Sequence, residues 1–286
     1  VEQPGHHVVN LPGRGRVVVH EWPGPVGAPV LVLVHGVALD VEINWAPVAP
    51  MLAHQYRVLA MDLRGHGRGL PVVGTFNLED CADDIAAALR VLDVGAVIPV
   101  GFSIGGMVAQ LLWRRHRDLV AGLALCSTAR NVTGSPWERM LAMAMPWAVL
   151  TATWLSPFSG VGTDSIAGPL LDTRLAPAQR RAALAHMRRM PLATALDAMR
   201  ACCAFSSHLW IGSVDVPTSV LVTRDDRIVA PRRQHKLAAA VPGAVVVEID
   251  GDHGVFLADP GGFGDGLLHA CAAVTLPVAP TTTSAA

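Results

Sequence analysis

The segment Val-Leu-Val-Leu-Val at residues 30–34 constrains this chain more than any other stretch. A strand sends successive side chains to opposite faces. Five apolar residues in a row therefore describe a strand covered on both faces, as in a parallel sheet packed between helices. Similar short runs recur at residues 57–61, 97–100, 123–126, 218–223 and 244–249, and residues 16–22 also read as a strand. Helical periodicity fills the intervals at 44–55, 78–92, 106–116 and 231–240; in the second of these Cys81, Ile85, Leu89 and Leu92 share one face. This alternation predicts an α/β fold with a mostly parallel central sheet flanked by helices. On such sheets ligands bind at the carboxyl ends of the strands.

The rhythm breaks between residues 131 and 212, where no strand is evident and Met, Trp, Ala and Leu abound. Trp137, Met140, Met143, Met145, Trp147, Trp154, Met187, Met190 and Met199 all lie here. The stretch reads as a helical cap inserted over the carboxyl edge of the sheet, with adaptable apolar side chains suited to an apolar substrate. The expected organisation is a core of residues 1–130 and 213–276, a cap of 131–212 and a disordered tail of 277–286. Trp137, Met145, Trp147 and Trp154 are the residues expected to line a substrate pocket.

Composition narrows the partners. Hydrophobic residues make up 51% of the 286 and charged residues 16%, ample for a core. The net charge of −1 gives no sign of a nucleic-acid partner. The five cysteines form no C-x-x-C pair, which points to buried free thiols in a reducing, cytoplasmic setting. Residues 1–10 carry no apolar leader core, although the initial valine leaves room for an earlier segment. No apolar run reaches the length of a membrane span, so no stable membrane insertion is expected. The oligomeric state is open, with a homodimer among the options.

Chemistry enters at Gly101-Phe102-Ser103-Ile104-Gly105-Gly106, which follows a buried strand and opens a helix. A serine on such a strand-to-helix turn is exposed as a nucleophile, and glycines on either side let neighbouring chain pass close by. The helix behind it favours negative charge at its N-terminus. Of the twelve histidines, His253 in Asp-Gly-Asp-His-Gly lies just past the last strand and is the candidate base. Either Asp225 or Asp226, after the strand at 218–223, could orient it. Two main-chain N–H groups should hold an oxyanion: that of Ile104, next to the serine, and that of Val37, in the loop His35-Gly36-Val37-Ala38 after the strand at 30–34.

These motifs, together with Asp62-Leu63-Arg64-Gly65-His66-Gly67, resemble those of α/β-hydrolase-fold serine hydrolases of the carboxylesterase and lactonase type, and the likeness spans nearly everything outside the tail. The order Ser, Asp, His is the one that family uses. In the family the acid commonly follows a glycine by three positions. Thr223 stands at that position here, which implies Asp226 rather than Asp225. A serine nucleophile sets the chain apart from epoxide hydrolases and haloalkane dehalogenases, which use aspartate.

The resemblance implies cleavage of a carboxylic ester, lactone or thioester of a small, largely apolar substrate through an acyl-enzyme. Ser103, His253 and Asp226 would act together, with no metal and no organic cofactor. Acyl transfer or carbon–carbon bond hydrolysis by the same triad is an alternative, and a non-catalytic binding protein on the same fold is another.

Overall fold

The computed structural model describes residues 4–134, 136–159, 162–163 and 175–275; the side chains of 136, 139, 141, 142 and 153–159 are not described. An eight-stranded sheet runs through the centre, in the order β1-β2-β4-β3-β5-β6-β7-β8. The strands are β1 Gly5–Leu11, β2 Gly15–Trp22, β3 Val30–Val34, β4 Arg57–Met61, β5 Ile98–Phe102, β6 Leu123–Cys126, β7 Thr218–Thr223 and β8 Val245–Ile249. From β4 to β8 every pairing is parallel; β2 joins β4 antiparallel and β1 joins β2 antiparallel.

The core shows why the apolar runs have no polar position. In β3, Val32 and Val34 belong to one buried cluster, whereas Leu31 and Leu33 belong to the other. In β4, Leu59 and Met61 fall on the first side and Val58 and Ala60 on the second. β3 and β4 thus each supply both layers, and helices cover both. The helices are α1 Val41–Asn44, α2 Ala49–Ala53, α3 Leu78–Val91, α4 Ile104–Arg115, α5 Pro136–Ser159, α6 Pro177–Met187, α7 Leu192–Ala204, α8 Pro231–Ala238, α9 Val255–Ala258 and α10 Pro260–Thr275.

Three features differ from the sequence reading. The helix expected at 44–55 is reduced to α2 at Ala49–Ala53, with α1 ending at Asn44; Pro47 between them has no N–H to continue the ladder. Strand β1 was not anticipated: it is an edge strand whose first four residues are exposed, so only Val9 and Leu11 face the core. Helix α10 was hidden by Gly261, Gly262, Gly264 and Gly266, which lower helix propensity, yet it buries Phe263, Leu267, Ala270, Cys271 and Val274.

Helices α5, α6 and α7 lie between β6 and β7, and the chain leaves and re-enters the core where Asn131 bridges Ser206. All five cysteines are free thiols; Cys81, Cys126 and Cys271 are buried, Cys202 and Cys203 half-buried. The tail at 277–286 lies outside the described residues. Among the described residues no helix is long and apolar enough to cross a membrane.

Candidate active site

Ser103 sits between β5 and α4 with φ 56° and ψ −118°, a left-handed conformation that costs a non-glycine residue about 1–3 kcal/mol. The flanking glycines make the turn possible. A Cβ on Gly105 would stand 2.1 Å from the Val34 carbonyl oxygen, and one on Gly101 would stand 2.4 Å from that of Gly105. The turn is held from β6: the Ser103 N–H donates to the Cys126 carbonyl at 2.9 Å, and Thr128 Oγ1 donates to the Ser103 carbonyl at 2.7 Å.

Three side chains from separate strand ends then meet. His253 Nε2 lies 3.0 Å from Ser103 Oγ, and His253 Nδ1 lies 2.8 Å from Asp226 Oδ2. With its Nδ1–H given to Asp226, the ring presents Nε2 as an acceptor for the serine hydroxyl. Asp226 is buried, and its carboxylate is fixed on both oxygens. Oδ1 accepts the N–H groups of Ile228 at 2.9 Å and Val229 at 2.8 Å. Oδ2 also accepts Thr223 Oγ1 at 2.9 Å and Gln234 Nε2 at 3.1 Å. Asp225 is exposed and does not reach the histidine; its N–H is bound to the Gly251 carbonyl at 3.0 Å. Thr223 and Gln234 gave no functional signal in the sequence beyond proximity to Asp226.

Asp252 links the loops that carry His253 and Asp226. Its Oδ1 accepts the His253 N–H at 2.7 Å and the Arg227 N–H at 3.2 Å, while Arg227 Nε donates to Oδ2 at 2.7 Å. Burial pushes the Asp252 carboxyl upward, but these N–H groups and the Arg227 charge outweigh it and hold the group below its ordinary value.

Helix α4 begins at Ile104 with no side-chain cap on its first turn. Val37 lines the same cavity as Ser103. The loop carrying Val37 is fixed from below. The buried His35 donates from Nδ1 to the Gly36 carbonyl at 2.8 Å and accepts the Leu63 N–H on Nε2 at 2.9 Å, while the Gly36 N–H donates to Asn44 Oδ1 at 3.0 Å. The Asp62 carboxylate joins the same two loops, accepting the N–H groups of Val41 at 2.8 Å and Arg68 at 2.7 Å. Arg64 anchors the turn to α3 through a bidentate pair with buried Asp84, both contacts 2.8 Å. His66 is buried and its pKa is pushed down to about 3, chiefly by burial, so the ring is neutral.

The cavity over Ser103 measures about 80 Å³. Its floor is Gly36, Ala38, Leu39, Phe102 and Phe256, and its roof is Met187, Ala195, Leu196 and Met199 from α6 and α7. Among the described residues no Asp, Glu, Lys or Arg lines it, and Ile228 stands at its edge, 42% exposed. Of the pocket residues expected from the sequence, Trp137, Met145 and Trp147 lie elsewhere. Trp137 and Trp147 on α5 are 63% and 71% exposed, and neither they nor half-buried Met145 line the cavity. The side chain of Trp154 lies outside the described residues. Met187 and Met199, part of the apolar abundance of the insertion, are the ones that face Ser103.

One group among the described residues has metal-ligand chemistry: Asp40, Glu42 and His186 bring one ligand atom each within 4.8 Å of one another. Asp40 and His186 are already hydrogen-bonded to each other, and the three line a different cavity from that of Ser103.

Residues 29–260 match the sequence profile of the alpha/beta hydrolase fold. The chain belongs to the alpha/beta hydrolase fold family. Among curated alpha/beta hydrolase relatives, "Putative carbamate hydrolase RutD" of Serratia proteamaculans is 29% identical over 250 residues, covering 81% of this chain and 86% of that protein. The pimeloyl-[acyl-carrier protein] methyl ester esterase of Sodalis glossinidius is 34% identical over 150 residues, 50% of this chain and 56% of that protein. Among solved structures, the enol-lactonase from Burkholderia xenovorans LB400 superposes with a TM-score of 0.79 at 23% identity, over 93% of this chain and all of the other. At that identity the likeness is one of fold.

Proposed function

We propose that this alpha/beta hydrolase is a serine esterase that cleaves a carboxylic ester, lactone or thioester of a small, uncharged, largely apolar acyl group. The observation that carries the reading is the unbroken chain Ser103 Oγ to His253 Nε2 to Asp226 Oδ2, at 3.0 and 2.8 Å. Ser103 Oγ adds to the acyl carbon while His253 Nε2 takes its proton. The carbonyl electron pair moves to oxygen, facing the N–H groups of Val37 and Ile104. Collapse expels the alcohol or thiol, which receives the proton from His253, and leaves Ser103 acylated. A water molecule, deprotonated by the same nitrogen, repeats the sequence and releases the acid. Asp226 holds the tautomer and stabilises the imidazolium. We take residues 131–212 as the cap that selects the acyl group, its contribution to the lining coming from Met187, Ala195, Leu196 and Met199.

The uncharged lining supports a neutral acyl portion, because a charged one would lose its hydration there without a partner. The same lining supports a second reading, transfer of the acyl group to an alcohol or thiol instead of water. A panel of esters of graded chain length, with lactones and a thioester, tests the first; product analysis with added alcohol or thiol tests the second. Release of free acid from short apolar esters is the expected result.

A further inference from the structure

A further cavity, of about 480 Å³, lies where the cap joins the core and holds no part of the triad. Its walls come from both sides of that junction: Arg130, Asn131, Gly134 and Glu138 where the chain enters the cap, His208 where it returns, and Arg232, Arg233 and Lys236 on α8. Four permanent cations thus face one carboxylate, in a chain whose net charge is −1. Glu138 is bound to Arg233 at 2.5 Å, and Arg233 also donates to the Asn131 carbonyl at 3.4 Å. That pair neutralises itself and fixes the wall. Arg130, Arg232 and Lys236 have no carboxylate within salt-bridge distance among the described residues. The N-terminus of α8 faces the same way in charge, with no acidic residue in its first turn and no side-chain cap.

Like charges gathered in one concavity repel one another unless an anion occupies it, and arginine with lysine is the donor set that suits phosphate oxygens. We infer that this cavity binds a phosphate-bearing anion, which ties the cap junction to helix α8. It also lies close to the reaction. Arg130 is two residues from Thr128, roughly 7 Å of extended chain, and Thr128 Oγ1 is bonded to the Ser103 carbonyl. Arg232 is four residues from Ile228 at the edge of the acyl cavity. The phosphate is therefore either a free anion or one carried on the leaving group of the substrate; the latter source rests on the esterase reading.

Thermal melts of the whole chain, titrated with inorganic phosphate and with pyrophosphate at constant ionic strength, test the site without any need for activity. A saturable rise in Tm, larger for pyrophosphate, is expected; sodium chloride should give none. The double variant Arg232→Ala/Lys236→Ala removes two exposed side chains and should abolish the rise, whereas Ser103→Ala should keep it. No saturable rise, or an equal rise in the double variant, overturns the inference. Kinetics then separate the sources. If the phosphate travels on the substrate, the double variant raises KM for an acyl-coenzyme A thioester about tenfold or more, with the matching phosphate-free thioester unchanged. If a free anion is bound, the melt effect is lost while both KM values stay equal to wild type. An inactive protein that still shows the melt effect refutes the esterase reading alone.

Discussion

Gln234 Nε2 donates to Asp226 Oδ2 at 3.1 Å, from a side chain with no exposure at all. The same amide donates to the Val229 carbonyl at 2.7 Å and accepts the Thr223 N–H on Oε1 at 3.2 Å. Gln234 thereby fixes the strand end before Asp226 and the loop after it, and in the proposed reaction it acts only through the carboxylate's position. Gln234→Leu should lower kcat about tenfold with KM within about twofold, because a misplaced Asp226 affects the transition state more than the bound substrate. Stability should fall by about 2 kcal/mol, read from the urea midpoint, since buried partners lose their hydrogen bonds. Gln234→Glu, which keeps the Thr223 contact but sets two carboxylates together, should be the worse enzyme of the two. Unchanged kcat in both would remove Gln234 from the positioning network.

Asp40, just before α1, and His186 on α6 form a latch whose strength depends on pH. The hydrogen bond with Asp40 raises the His186 pKa, with burial opposing and the Asp40 charge adding to the rise. Burial pushes the Asp40 carboxyl upward, but the His186 hydrogen bond, the Ile43 N–H and the His186 charge bring it below its ordinary value. A raised histidine stabilises the fold fully below its unfolded pKa and loses that contribution as pH rises through the folded one; a depressed carboxyl stabilises above its unfolded pKa and loses it as pH falls. The latch is therefore strongest between about pH 4 and 6.5. The Tm difference between wild type and His186→Gln should be greatest near pH 5–6 and shrink by about pH 9. A difference independent of pH would mean that His186 acts by packing alone.

Arg64 and Asp84 are a buried pair joining the turn after β4 to α3, and Arg14 also donates to Asp84 at 2.9 Å. Arg64→Ala leaves Asp84, 2% exposed, with only the half-exposed Arg14 as its charge partner among the described residues. The expected loss is about 3 kcal/mol, within the range for broken buried pairs. Denaturant melts check it. Arg64→Ala/Asp84→Leu should recover much of the loss by removing the stranded charge.

Acyl selection should follow the residues that line the cavity rather than the tryptophans of α5. Met199→Trp fills part of the space above Ser103 and should shift the preference to shorter acyl chains, with kcat/KM for a hexanoyl ester falling at least about tenfold relative to the acetyl ester. Trp147→Ala, altering a side chain that is 71% exposed, should leave both within about twofold. Chain-length profiles of the two variants distinguish these outcomes.

The sequence made the sheet and the grouping of Ser103, His253 and Asp226 legible because both rest on local signals. A run such as residues 30–34 has only one good environment, and a glycine-flanked serine at a strand end has one good backbone. What remained hidden depends on contacts between distant segments. Strand β1 alternates only over its last residues, so its burial shows only once β2 lies beside it. Composition says that residues 131–212 are apolar, not which helix face turns toward Ser103, so Trp137, Met145 and Trp147 are not at the cavity wall. Met187 and Met199 face it through the arrangement of α6 and α7, whereas α5 leaves Trp137 and Trp147 in solvent. The choice between Asp225 and Asp226 was local in sequence, but the structure distinguishes them through the partners of Asp226: His253, Thr223 and Gln234.

The decisive measurement pairs active-site labelling with turnover for Ser103→Ala. Wild type should react with a fluorophosphonate at Ser103 alone and hydrolyse short apolar esters. The variant should keep the wild-type melting profile, take up no label and lose about 10⁵-fold or more in kcat. A variant that retained wild-type ester hydrolysis, or a wild-type protein that neither labels nor turns over any ester, lactone or thioester, would contradict the assignment of Ser103 as the nucleophile.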